Sequence, residues 1–194
     1  MNKTGNIVSL SIRNRIVFLA ALSAFSAVML TAESAFAETF KTANLHLQFD
    51  TAPGWTISES GDGTTGFMAY TKTSSAEEKQ AGVSASVYTD YGTYALLPTD
   101  QSDVSRWFHA LMDRNTDPTY SLLSERQITF AGCPAMEAVF RTTYEGETRL
   151  VRHTNVYVLK DGVLYTFTFS IYDDVYDRYW PTLQVVYDSM KFVS

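Results

Sequence analysis

Cysteine is almost absent: Cys133 is the single one in 194 residues. An intramolecular disulfide framework is therefore excluded, and so is a thiolate zinc cage, which needs several such ligands. Basic residues are short, with 15 Lys and Arg against 21 Asp and Glu. That deficit argues against a nucleic-acid partner, whose phosphates must be neutralised. Histidine occurs three times, as His46, His109 and His153, in separate elements and without a second group at ligand spacing. Neither a metal site nor a hydrolase constellation is read from them. No serine stands in a G-x-S-x-G elbow or an S-x-x-K motif. No catalytic, cofactor or metal residue is assigned, and a non-enzyme is expected. The chain is otherwise 45% hydrophobic and 14% aromatic, the make-up of an ordinary globular protein.

Long hydrophobic runs are missing except near the start. Lys3, Arg13 and Arg15 precede an apolar stretch from Ile16 to Leu30, and Ala35-Phe36-Ala37 follows. Basic start, short apolar middle and small residues before a cut are the parts of a secretory signal. The 15 residues from Ile16 to Leu30 fall short of the ~20 that a membrane-spanning helix needs. Residues 1–37 are read as a signal peptide cleaved after about Ala37, and residues 38–194 as a single domain exported to the periplasm. Losing the signal leaves 12 basic and 20 acidic side chains, a net charge of -8.

Along the mature chain, alternation with period 2 marks strands. Leu45, Leu47 and Phe49 share one face, and Trp55 to Ser58, Gly66 to Lys72 and Gly82 to Tyr88 read as further strands. Val104, Trp107, Phe108, Leu111 and Met112 form a helical stripe, with Ser102 as the expected cap and Asp103 in the first turn. Four strands follow: Tyr120 to Phe130, Pro134 to Tyr144, Arg149 to Lys160, and Val163 to Ile171. Glu145-Gly146-Glu147 joins the middle pair and Asp161-Gly162 is a hairpin turn. A closing helix over about Tyr179 to Met190 presents Tyr179, Leu183, Val186, Tyr187 and Met190, with Pro181 placed in its first turn. The fold class is α+β, with a largely antiparallel sheet and two helices.

Gly61-Asp62-Gly63-Thr64-Thr65-Gly66 matches the dinucleotide fingerprint in form. That chemistry needs a helix after the glycines, and Phe67 to Thr71 reads as a strand, so the match is a false one. Cys133, between Gly132 and Pro134, is a buried small side chain or a bridge to a second chain in a dimer. Asp173, Asp174 and Asp177 with Tyr172, Tyr176, Tyr179 and Trp180 form the densest acidic-aromatic cluster. Its carboxylates suit the start of a helix; the alternatives are a partner surface or a weak Ca²⁺ site. Tyr88, Tyr91 and Tyr94 form a second aromatic run, in a connection. The candidate partner surface is Tyr88, Tyr91, Tyr94, Tyr172, Asp173, Asp174, Tyr176, Asp177 and Trp180.

Several segments taken in order resemble the PsbP-like domain family. Phe49 to Trp55 (F-D-T-A-P-G-W) resembles that domain's opening strand and turn. Ile128 to Ala135 (I-T-F-A-G-C-P-A) is similar to its strand, glycine and Pro-Ala restart. Lys160-Asp161-Gly162 with Tyr165 resembles the hairpin before its last strand, and Tyr187 to Phe192 (Y-D-S-M-K-F) its closing helix. The resemblance implies an antiparallel sheet sandwiched by helices and a binding role without a shared catalytic motif. Family members include extrinsic subunits and assembly factors of photosystem II and exported bacterial proteins, some of them adaptors. The expectation is an exported, non-catalytic accessory protein with a protein partner in the cell envelope. The alternative is a carrier of a small apolar ligand between sheet and helix.

Overall fold

The computed structural model describes residues 38–42, 45–51, 55–59, 65–71, 81–87, 97–113, 115–144 and 146–194. The expected signal segment and the Tyr88, Tyr91 and Tyr94 connection lie outside the described residues. Among those described, ten strands and two α-helices form: β1 Glu38–Lys41, β2 Leu47–Thr51, β3 Trp55–Glu59, β4 Thr65–Thr71, β5 Ala81–Val87, α1 Val104–Met112, β6 Ser121–Phe130, β7 Cys133–Thr143, β8 Leu150–Lys160, β9 Val163–Tyr172, α2 Tyr176–Ser189 and β10 Lys191–Phe192. Seven strands make one antiparallel sheet in the order β3-β4-β5-β9-β8-β7-β6. β1, β2 and β10 form a small second sheet. Gly66, the last glycine of the fingerprint-like segment, stands in β4, a strand where the dinucleotide motif needs a helix.

Alternation along the central strands gives each face of the large sheet its own cover. Ala85, Val83, Phe169, Phe167, Val156 and Val158 point to one face, where Leu183 and Val186 of α2, Met190 just after it, and Leu47 and Phe49 of β2 close a core. Met136, Ala138, Tyr157 and Leu164 point to the other and meet Val104, Trp107 and Phe108 of α1. Trp107 and Phe108 each put a ring 5.6 Å from that of Tyr157. The sheet is thus sandwiched between helices.

The hairpins follow from their turn residues. Asp161 and Gly162 have φ of 52° and 76°, the paired left-handed conformations of a type I′ turn, which matches strand twist. Ala131 and Gly132, at 52° and 80°, make the equivalent turn between β6 and β7. Two local expectations change. α1 is entered through a 3-10 turn, Gln101–Asp103, so its extended cap is Asp100. The Asp100 carboxylate accepts from Ser102 N at 2.8 Å and Ser102 Oγ at 2.6 Å, which lowers its pKa. α2 begins at Tyr176, three residues earlier than expected, so Pro181 lies inside the helix. Proline there withholds the N–H that would bond the Asp177 carbonyl; both residues are exposed, so water can serve that carbonyl.

Gln101 ties α1 to the sheet. The β7–β8 ladder ends at Met136↔Tyr157, and continuing it would set Pro134, which has no N–H, opposite Leu159. Leu159 N donates instead to Gln101 Oε1 at 2.7 Å, and Gln101 Nε2 donates to the Tyr157 carbonyl at 3.4 Å. Gln101→Ala strands both backbone groups and is expected to lower stability by about 1–2 kcal/mol in urea unfolding, with an unchanged m-value. A wild-type midpoint would show that the amide only follows the helix and does not fix it.

Candidate functional site

Asp173, Asp174 and Val175 form a 3-10 turn between β9 and α2. Asp173 and Asp174 open that turn and Asp177 stands in the first turn of α2, where a negative charge favours the dipole, but neither element has a side-chain cap hydrogen bond. Arginines from the neighbouring strands take Asp173 and Asp174. Asp173 Oδ1 accepts from Arg152 Nε at 2.7 Å and lies 3.0 Å from Arg141 Nε. Arg141 and Arg152 are register partners across β7 and β8, and like charges directly opposite repel unless an anion sits between them. Asp174 receives the Arg149 fork, with Nε 2.9 Å and Nη2 2.7 Å from its Oδ1. That hydrogen bonding holds the Asp174 carboxyl below its usual pKa.

The aromatic residues extend this charged layer. Arg149 lies 4.1 Å over the Tyr172 ring, whose hydroxyl donates to Glu147 Oε2 at 2.8 Å. Burial, with the Glu147 carboxylate beside it, pushes the Tyr172 pKa up to about 12. Arg152 lies 4.0 Å over Tyr176, which stacks on Trp180 at 5.5 Å and 11°. Trp180 turns an edge to Phe169 at 6.5 Å and to Tyr187 at 6.0 Å. Tyr187 donates to Glu137 Oε2 at 2.6 Å, and the other oxygen of Glu137 takes Arg126 Nε at 2.6 Å. Burial and that bond raise the Tyr187 pKa. A continuous layer of cation, ring and carboxylate therefore runs from the start of α2 to the edge strand β6.

Of the residues expected to form a partner surface, Tyr172, Asp173, Asp174, Tyr176 and Trp180 are brought together, and Asp177 is exposed on the outer side of α2. Tyr176, Tyr179 and Trp180 also pack against the main core. Thr148, Arg149, Leu150, Asp173 and Asp174 line an open depression. Leu150, Leu122 and Leu123 are exposed at this end of the sheet. Arg126, Glu137, Arg141, Arg149 and Arg152 were not expected as members.

The histidines do not converge. His46 precedes β2 in a left-handed conformation, φ 51°, and its carbonyl accepts from Val193 N at 2.7 Å. His109 Nε2 pairs with Glu125 at 2.7 Å, and Ser105 hydrogen-bonds the other oxygen of the same carboxylate. His153 is buried within β8. Among the described residues no group of three or more His, Cys, Asp or Glu could hold a metal ion, and no helix is long and apolar enough to cross a membrane. Cys133 is a free, half-buried thiol at the start of β7.

No family model matches the sequence, and no curated protein matches it. Solved structures do. Cyanobacterial PsbP (CyanoP) from Synechocystis sp. PCC 6803 superposes with a TM-score of 0.55 at 15% identity, over 82% of this chain and 94% of that one. LpqN of Mycobacterium tuberculosis, involved in cell envelope biogenesis, gives 0.54 at 10% identity, over 82% and 91%. The Ran-binding protein Mog1p of Saccharomyces cerevisiae gives 0.53 at 8% identity, over 83% and 97%. At these identities the likeness concerns the fold alone: an antiparallel sheet between two helices is the PsbP-like fold.

Proposed function

We propose that the chain is an exported, non-catalytic accessory protein of the periplasm that acts by binding another protein. The reading rests chiefly on the depression at the entry to α2. An exposed Leu150 there sits beside the Arg149–Asp174 pair, an apolar spot within a polar, charged surround of the kind protein interfaces use. The similar structures add support: one is a Ran-binding protein and another is involved in cell envelope biogenesis. Tyr172, Asp173, Asp174, Tyr176, Asp177 and Trp180 form the framework of the surface. Tyr88, Tyr91 and Tyr94 are proposed as its second part.

Cross-linking and pull-down of the tagged chain from its native envelope tests this. The expected result is one stoichiometric partner, captured by a chain whose mass begins at Glu38. Leu150→Glu combined with Asp174→Arg should reduce capture at least tenfold while the melting temperature stays put, because both side chains are exposed. Equal capture by the double variant, or no partner at native abundance, would sink the proposal.

A further inference from the structure

One buried titratable group has no part in that surface. His153 is fully buried (0% exposed) in β8, between its register partners Phe140 on β7 and Ser170 on β9. Its ring stacks on Phe140 at 5.1 Å and 27° and meets the edge of Tyr144 at 6.1 Å. Nδ1 lies 2.8 Å from Ser170 Oγ, while Nε2 is buried without a partner. The Ser170 hydroxyl also bonds Tyr144.

Among the described residues, the groups facing this row are neutral apart from three carboxylates with their partners. Asn155 and Tyr157 follow on the same face of β8 and bond each other at 2.9 Å. Tyr120 packs on Phe140 at 5.5 Å, and Tyr172 packs behind Tyr144 at 6.3 Å. Asp117, in the loop before β6, is held by Thr119 and by Thr142 of β7; Glu125 of β6, near Tyr120, is held by His109 and Ser105 of α1; Glu147, near Tyr144, accepts from the Tyr172 hydroxyl. Burial is the cause of the depressed His153 pKa, about 4. An imidazolium needs acceptors for both N–H groups. Ser170 offers one, and Nε2 is within hydrogen-bond reach of none.

Successive strand residues point to opposite faces. Arg141 and Arg152, next in sequence to Phe140 and His153, therefore lie behind the row, where both hold Asp173. We infer that the Phe140–His153–Ser170 row is an acid-operated device, in which a proton on His153 forces the row apart and draws Arg141 and Arg152 off Asp173, loosening the entry to α2. The sign follows from linkage. Between about 4 and the ordinary value of ~6.5, only the opened or unfolded chain binds the proton. The closed row is fully stable above pH ~6.5, loses stability as pH falls towards 4, and loses no more below that. From pH 7 to pH 5 the opening equilibrium rises roughly twentyfold.

Any control of partner binding by this device rests on the proposed function, whereas the device itself does not. Hydrogen exchange of the full chain at pH 7 and pH 5, corrected for intrinsic rates, tests it. Protection across residues 150–154 and 170–174 is expected to fall roughly twentyfold from pH 7 to pH 5, and to stay level in His153→Gln and His153→Phe. Unchanged protection in the wild type, or an equal fall in the variants, would overturn the inference. Should the variants not fold, the wild-type His153 ring signal decides by NMR titration. A midpoint near 4 supports the device, and one near ~6.5 in a native spectrum refutes it. A pull-down at pH 7 that finds no partner sinks the proposed function alone.

Discussion

Trp107→Asp is expected to cost more than ~5 kcal/mol and to leave the chain unfolded or molten under native conditions. Trp107 is 5% exposed, between Val104 and Phe108 on α1 and Tyr157 and Met136 on the sheet. Truncating a buried tryptophan removes about 3–5 kcal/mol by itself. The carboxylate adds the cost of placing a charge in an apolar layer. Against a total of ~5–15 kcal/mol for a typical domain, the sum leaves little. Arg106→Ala, one residue away on the exposed side of the same helix, should stay within ~0.5 kcal/mol. Far-UV circular dichroism and urea titration of the two variants check the pair. A folded Trp107→Asp chain with a wild-type midpoint would mean that α1 is not needed to cover its face of the sheet.

That helix was legible because its information is local. Val104, Trp107, Phe108, Leu111 and Met112 repeat at helical spacing, and the structure packs all five against the sheet. The Asp161-Gly162 hairpin was legible for the same reason, since the left-handed turn is encoded in two adjacent residues. What needed tertiary partners was misread or missed. The small sheet depends on Lys191 and Phe192 reaching Gln48 and Leu47, and on Asp50 N donating to Ser189 Oγ at 2.8 Å; no local pattern announces either. Pro181 suggested a later start to α2, because the rule for proline is local while the packing of Tyr176 on Trp180 and Arg152 is not.

The aspartate cluster shows the same division. Three carboxylates at the start of a helix suggest capping, yet two of them serve arginines more than 20 residues away in sequence. A signal for this was present. Pairing the expected strand ends Tyr144 and Arg149 sets Arg141 opposite Arg152, as the register shows. Two facing cations on adjacent strands require an anion from elsewhere. Asp173, at the end of the next strand, was the nearest candidate.

Asp173→Ala is accordingly the second large effect, expected to cost about 2–3 kcal/mol. The side chains of Arg141 and Arg152 are 33% and 23% exposed, so neither is fully hydrated once the carboxylate has gone. Their mutual repulsion across the β7–β8 pair is then uncompensated. Asp174→Ala should change stability little, because its pair with Arg149 lies in water and is screened. Asp173→Asn keeps an acceptor without the charge and should fall between the two. The sign of coupling separates an ion-pair node from simple loss of packing. In the Asp173→Ala background, Arg141→Leu removes one of the two stranded cations and should restore part of the stability, although in the wild type the same change is destabilising. Urea midpoints of the four chains complete the cycle. Strictly additive losses would show that Asp173 does not join the two arginines, and that the entry to α2 is held by the Tyr176–Trp180 stack alone.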